Sequence, residues 1–167
     1  MKVIDYFTIN KKFMLWVLVI LWMGIIYYLS GQTAVESSSL SGQTIRALAG
    51  AIFPEFNELS SLEQKEIVAG LQSVVRDAAH VLTYFILGIL TMAAIATRPW
   101  ALRTKVTSAL AICTIYAIAD ELHQVFVDGR AFELMDIGLD FCGIAAGTAI
   151  MLWIGESWKA EGEKREG

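Results

Sequence analysis

The chain has 167 residues, of which 56% are hydrophobic, with a mean hydropathy of +0.55 and a net charge of −4. Soluble domains run nearer ~45–50% apolar, so this composition excludes an ordinary water-soluble globule and points to a bilayer protein. The length allows one compact helical bundle and no second domain of normal size, and the acidic balance gives no reason to expect a nucleic-acid partner.

Residues Phe13 to Ser30 are uncharged and, at ~1.5 Å per residue, cross most of a ~30 Å hydrocarbon core. This is the first span, read as an uncleaved anchor because a signal peptide would have a shorter apolar run and a better small-residue cleavage site. Lys2, Lys11 and Lys12 precede it, which puts the N-terminus in the cytoplasm. Gly31 to about Val75 then lies outside. Within it, Leu40, Ile45, Leu48, Ala49, Ile52 and Phe53 recur at helical spacing and predict an amphipathic helix, on the bundle or in the interface, stopped by Pro54. Ser60 and Glu63 have capping-box spacing and start another helix, able to run on into the next span with Gly70 as its weak point.

The second span is predicted over residues 76–97, ended by Arg98-Pro99, and a short basic loop with Arg98, Arg103 and Lys105 faces the cytoplasm. The third span is predicted over 106–127 and the fourth over 132–154. Residues 1–160 thus form one membrane domain, and 161–167 belong to a charged tail that is expected to fray from Glu156 onward. Tyr27 and Tyr28 suit the outer interface; Trp100, Trp153 and Trp158 suit the inner one. Cys113 and Cys142 both fall within spans and read as packing thiols. The fold class is all-α: an integral membrane four-helix bundle with both termini inside, multi-pass in the cell membrane, and an extracytoplasmic helical segment between its first two spans.

Charged groups inside spans need a reason. Arg76, Asp77, His80 and Tyr84 open the second span, Asp120, Glu121, His123 and Gln124 close the third, and Glu133, Asp136 and Asp140 open the fourth. All three sets therefore fall in the outer half of the membrane. At ~100° per residue each helix carries one polar face, and the faces can converge on a cavity open to the outside. His123 is ~160° from Glu121, so one of the two faces a neighbouring helix or the loop. Gly143 and Gly147 form a G-x-x-x-G that lets another backbone approach. The cluster holds six carboxylates (Asp77, Asp120, Glu121, Glu133, Asp136 and Asp140) against Arg76, Arg130 and two histidines. The surplus calls for protonation, water or a bound cation. A divalent cation at Asp120, Glu121, Asp136 and Asp140 would be Mg²⁺, Mn²⁺ or Ca²⁺, since zinc would need both histidines inward.

The segments YYLSGQ (Tyr27 to Gln32), RDAAHVLTYFILGIL (Arg76 to Leu90), DELHQVFVDGR (Asp120 to Arg130) and MDIGLDFCGIAAG (Met135 to Gly147) resemble, in order, the VanZ-like family of small bacterial membrane proteins. The resemblance spans nearly the whole chain. Its polar set falls on Ser30, Gln32, Arg76, His80, Tyr84, Asp120, Glu121, Gln124, Arg130, Asp136 and Asp140. Two departures stand out: Asp77 occupies a position that is often lysine, and Ala131-Phe132-Glu133 replaces a short polar turn. Both make the site more acidic, which argues against simple anion binding.

The resemblance implies an envelope role connected with sensitivity to the glycopeptide teicoplanin, without an assigned reaction or cofactor. One reading is an outward-facing enzyme or binding site for a membrane lipid or lipid-linked envelope precursor. In it His80, Asp120, Glu121 and Asp136 are the candidate catalytic groups, and Ser30, Gln32, Arg76, Tyr84, Gln124, Arg130 and Asp140 hold the ligand. The other reading is a non-catalytic module that binds a partner protein or lipid, with the polar cluster as internal glue. Proton-coupled transport is disfavoured, since the cytoplasmic halves of the spans are almost wholly apolar.

Overall fold

A computed structural model describes the backbone of residues 3–166 and the side chains of residues 11–155; Lys2, Trp158 and the side chains of the charged tail lie outside the described residues. The described residues form five α-helices: α1 (Val3–Ser30), α2 (Ala34–Ile52), α3 (Ser61–Ala96), α4 (Leu102–Gln124) and α5 (Leu134–Glu166), with a 3-10 turn at Pro54–Glu58. Four of them, α1, α3, α4 and α5, are long and apolar enough to cross a membrane. The expected all-α bundle of four apolar helices with an extra amphipathic helix is what forms.

The caps explain where α2 and α3 begin. At α3, the Ser60 hydroxyl accepts from the Glu63 amide, and the Glu63 carboxylate accepts from the Ser60 amide at 2.9 Å, as the spacing predicts. A second capping box, Thr33 with Glu36, starts α2, and its T-x-x-E spacing stands in the sequence. No break occurs at Gly70. At ~1.5 Å per residue the 36-residue α3 is about 54 Å long, well beyond a ~30 Å hydrocarbon core. The half of α3 that lies outside the predicted span is where α2 packs. Ile45, Phe56 and Val68 form a small core there, and Gln72 donates to the Ser38 carbonyl at 2.9 Å. Of the two placements open for the amphipathic helix, α2 therefore takes the one on the bundle.

Helix boundaries differ from the sequence reading, at the start of α4, which is Leu102 rather than 106, and at the turn between α4 and α5. The third span, α4, ends at Gln124, not 127, because Val125 to Arg130 form successive turns, with the Arg130 amide donating to the Val127 carbonyl and Gly129 at φ +75°. Val125, Phe126 and Val127 are apolar enough to read as span, but hydropathy does not register a turn. The fourth span belongs to α5, which starts at Leu134, not 132, and continues to Glu166, so the tail expected to fray is helical, in keeping with its Ala, Glu and Lys content. The α4–α5 turn is tied to α2: the Ala34 amide donates to the Asp128 carbonyl at 3.2 Å, and the Ala34 Cβ would sit 3.0 Å from any Cβ at position 129.

The main core joins Val19 and Ile26 of α1, Tyr84, Leu87 and Ala94 of α3, Cys113 and Ala117 of α4, and Ile144 of α5. Lipid tails are as apolar as these side chains, so close packing and interhelical hydrogen bonds hold the bundle rather than water exclusion. The tightest contact is between α3 and α5. Cβ atoms at 143 and 147 would collide with the Val81 and Phe85 carbonyl oxygens, and one at Gly88 would lie 2.6 Å from the Ile144 oxygen. The glycine spacing on α5 predicts this approach; Gly88 is its counterpart on α3. Outward-facing Phe13, Ile20, Tyr28, Ile115 and Trp153 are exposed, as suits helices whose solvent is hydrocarbon. Cys113 is buried, Cys142 is exposed, and both thiols are free.

Candidate functional site

The end of the bundle that carries α2 gathers the polar groups from α1, α3, α4 and α5. Asp120, 5% exposed, accepts hydrogen bonds from the Ser30 hydroxyl at 2.6 Å and the Tyr84 hydroxyl at 3.3 Å, which links α4 to α1 and α3. Its neighbour Glu121, 1% exposed, accepts from the Glu133 backbone amide at 2.6 Å and so pins the start of α5 to α4. His80 lies between two carboxylates of α5, with Nδ1 3.0 Å from Asp140 and Nε2 3.7 Å from Asp136. Arg76, half exposed, lies 3.9 Å from Asp77 and 3.8 Å from Glu133.

These contacts meet part of the carboxylate surplus, and Asp120 Oδ1 stays buried without a hydrogen-bond partner. Each of the six acids has a direct partner, and hydroxyls and a backbone amide supply what the two arginines do not. Among the described residues, no group of three or more His, Cys, Asp or Glu side chains is arranged to hold a metal ion. His123 turns away from the cluster and stacks on Tyr27, ring centroids 4.4 Å apart, so Glu121 is the inward member of that pair.

Two adjoining cavities open here. One of about 260 Å³ has apolar walls from Ile26, Leu29, Leu40 and Val75, with Ser30, Gln32, His80, Tyr84 and Asp120 among its polar lining. The other, about 270 Å³, is lined by Ser38, Gln72, Ser73, Glu133 and Asp136. Arg76, Gln124, Arg130, Ser37 and Ser41 line both and form the boundary between them. Arg130 donates to the Gln124 amide oxygen at 3.3 Å rather than pairing with Asp128 or Glu133, and its Nε is buried without a hydrogen-bond partner. Of the eleven residues singled out from the sequence, nine line one or both cavities. Glu121 and Asp140 line neither and sit behind the walls, holding α4 and α5.

Sequence reasoning missed the contribution of α2. Ser37, Ser41 and Thr44 present a hydroxyl face to the first cavity, at the i, i+4, i+7 spacing of one helix side. That spacing was readable in the Ser-rich stretch.

The sequence model of the VanZ/LLP1 family matches residues 15–155, which takes in both cavities and all of the spans except the first residues of α1. The chain belongs to the VanZ/LLP1 family. Comparison with curated proteins and with solved structures finds no match. The VanZ/LLP1 match covers the Asp120 to Asp140 stretch, where α4, the Gly129 turn and α5 make two walls of the site.

Chemically, the arrangement offers two things. His80, oriented by Asp140 through Nδ1, can hold a proton at Nε2, whose nearest carboxylate at 3.7 Å is beyond hydrogen-bond length. Arg76 and Arg130 at the boundary offer guanidinium donors beside an apolar space, a combination that suits an amphiphile with a charged head.

Proposed function

We propose that this VanZ-like protein works in the cell membrane, with its pocket facing outward, where it binds a membrane lipid or lipid-linked envelope component and lowers sensitivity to teicoplanin-type glycopeptides. The observation that carries this reading is the pair of contiguous cavities, one apolar and one polar, with Arg76, Gln124 and Arg130 at their junction. Hydrocarbon fits the first and a head group the second. Basic residues at positions 2, 11, 12, 98, 103 and 105 support the orientation that turns the cavity end outward. Ser30, Gln32, Tyr84 and Asp120 shape the apolar chamber, and His80 is the group best placed to move a proton if the ligand reacts.

A second reading, a non-catalytic module with the cluster as glue, is favoured by one observation. His80, Asp120, Glu121 and Asp140 spend their hydrogen bonds on neighbouring helices. The two readings separate in a glycopeptide-susceptibility assay on cells expressing the protein. Arg130→Gln, at unchanged abundance in the membrane, abolishes protection if the pocket binds the ligand. Full protection by that variant would sink the pocket reading and leave the structural one.

A further inference from the structure

The polar chamber is balanced in charge: its lining holds Arg76 and Arg130 with Glu133 and Asp136, and the remaining residues are serine, glutamine, alanine and glycine. A purely anionic head group would bring its charge beside two carboxylates, and a purely cationic one beside two guanidinium groups. A head group with both signs would satisfy all four.

The pairings now present leave room for it. Arg76 and Glu133 are 3.8 Å apart and half exposed, and His80 and Asp136 are 3.7 Å apart, both beyond hydrogen-bond length. Arg130 keeps an unpartnered Nε. The carboxylates and arginines of this chamber therefore retain donor and acceptor capacity that a ligand would use.

We propose, resting on the lipid-pocket reading above, that the ligand is a zwitterionic phospholipid carrying a phosphodiester and a primary ammonium, as in phosphatidylethanolamine. The phosphodiester lies against Arg76 and Arg130, the ammonium reaches Glu133 and Asp136, and an acyl chain occupies the chamber walled by Ile26, Leu29 and Leu40. Glu133 is the residue that sets head-group choice, because it is half exposed in the chamber and its carboxylate is not needed for the helix contact its backbone amide makes with Glu121.

The test is native mass spectrometry of the purified full chain equilibrated with equal amounts of phosphatidylethanolamine and phosphatidylglycerol of matched acyl chains. Wild type should retain the ethanolamine lipid roughly threefold or more over the glycerol lipid, the scale of one partly exposed ionic contact. Glu133→Gln should bring that ratio to about one or reverse it with total lipid retained unchanged, and Arg130→Gln should reduce both lipids. A wild-type ratio at or below one, or a ratio that Glu133→Gln leaves unmoved, overturns the zwitterion proposal while the lipid pocket stands. Retention of neither lipid overturns both.

Discussion

Replacing Gly147 by alanine tests the closest helix contact in the bundle. The new Cβ would collide with the Phe85 carbonyl oxygen and lie 3.0 Å from its carbon and 3.1 Å from the Ile89 nitrogen. All three are backbone atoms, so relief requires α5 to move away from α3. Gly24 provides the control, since a Cβ there meets nothing within 4 Å. Alanine gains up to ~1 kcal/mol over glycine in a helix interior at either position. The difference between the two variants cancels that gain and isolates the overpacking, typically ~1–3 kcal/mol and expected toward the upper part because backbone meets backbone. Reversible unfolding in mixed detergent micelles, followed by circular dichroism, measures it. Gly147→Ala should be less stable than Gly24→Ala by about 2 kcal/mol or more; equal stabilities would refute the α3–α5 packing described here.

Two further outcomes follow from single contacts. Ser30→Ala removes the shortest donor to buried Asp120, at 2.6 Å, and leaves weaker contacts such as Tyr84 at 3.3 Å, so the same unfolding assay should show a loss of about 1–3 kcal/mol. Glu36, at the start of α2, has its carboxyl held below the usual glutamate range by the Thr33 backbone amide and then by the Thr33 hydroxyl. A pKa depressed in the folded state means the cap is intact above the unfolded value and lost as pH falls through the lowered one. Hydrogen exchange at the Thr33 amide, which donates to the Glu36 carboxylate at 2.9 Å, should accelerate over that acidic interval beyond its intrinsic pH dependence, and Glu36→Gln should remove the transition.

The four spans were legible because hydrocarbon selects uninterrupted apolar helices, and the Ser60 cap and Gly143–Gly147 contact followed from local spacing. What sequence could not supply was radial position. Helical angle places Glu121 and Asp140 on the polar faces, but only packing puts them behind the cavity walls, against the Glu133 amide and His80. A count of side-chain charges also omits hydroxyl and backbone donors, which Asp120 and Glu121 use. The end of α4 was lost because Val125 to Val127 are apolar in a turn. The hydroxyl face of α2 was visible at Ser37, Ser41 and Thr44, yet its meaning depends on α2 folding back over α3.

The central claim is that the apolar chamber beside Arg76 and Arg130 holds the hydrocarbon of a lipid. Ala79 lines that chamber and is exposed, so Ala79→Phe fills it without disturbing the core. Native mass spectrometry of protein purified from membranes, comparing lipid retained per chain, is the direct measurement. Wild type should carry bound lipid, and Ala79→Phe should lose it at unchanged helical content and thermal stability. Equal retention by the two proteins would contradict it.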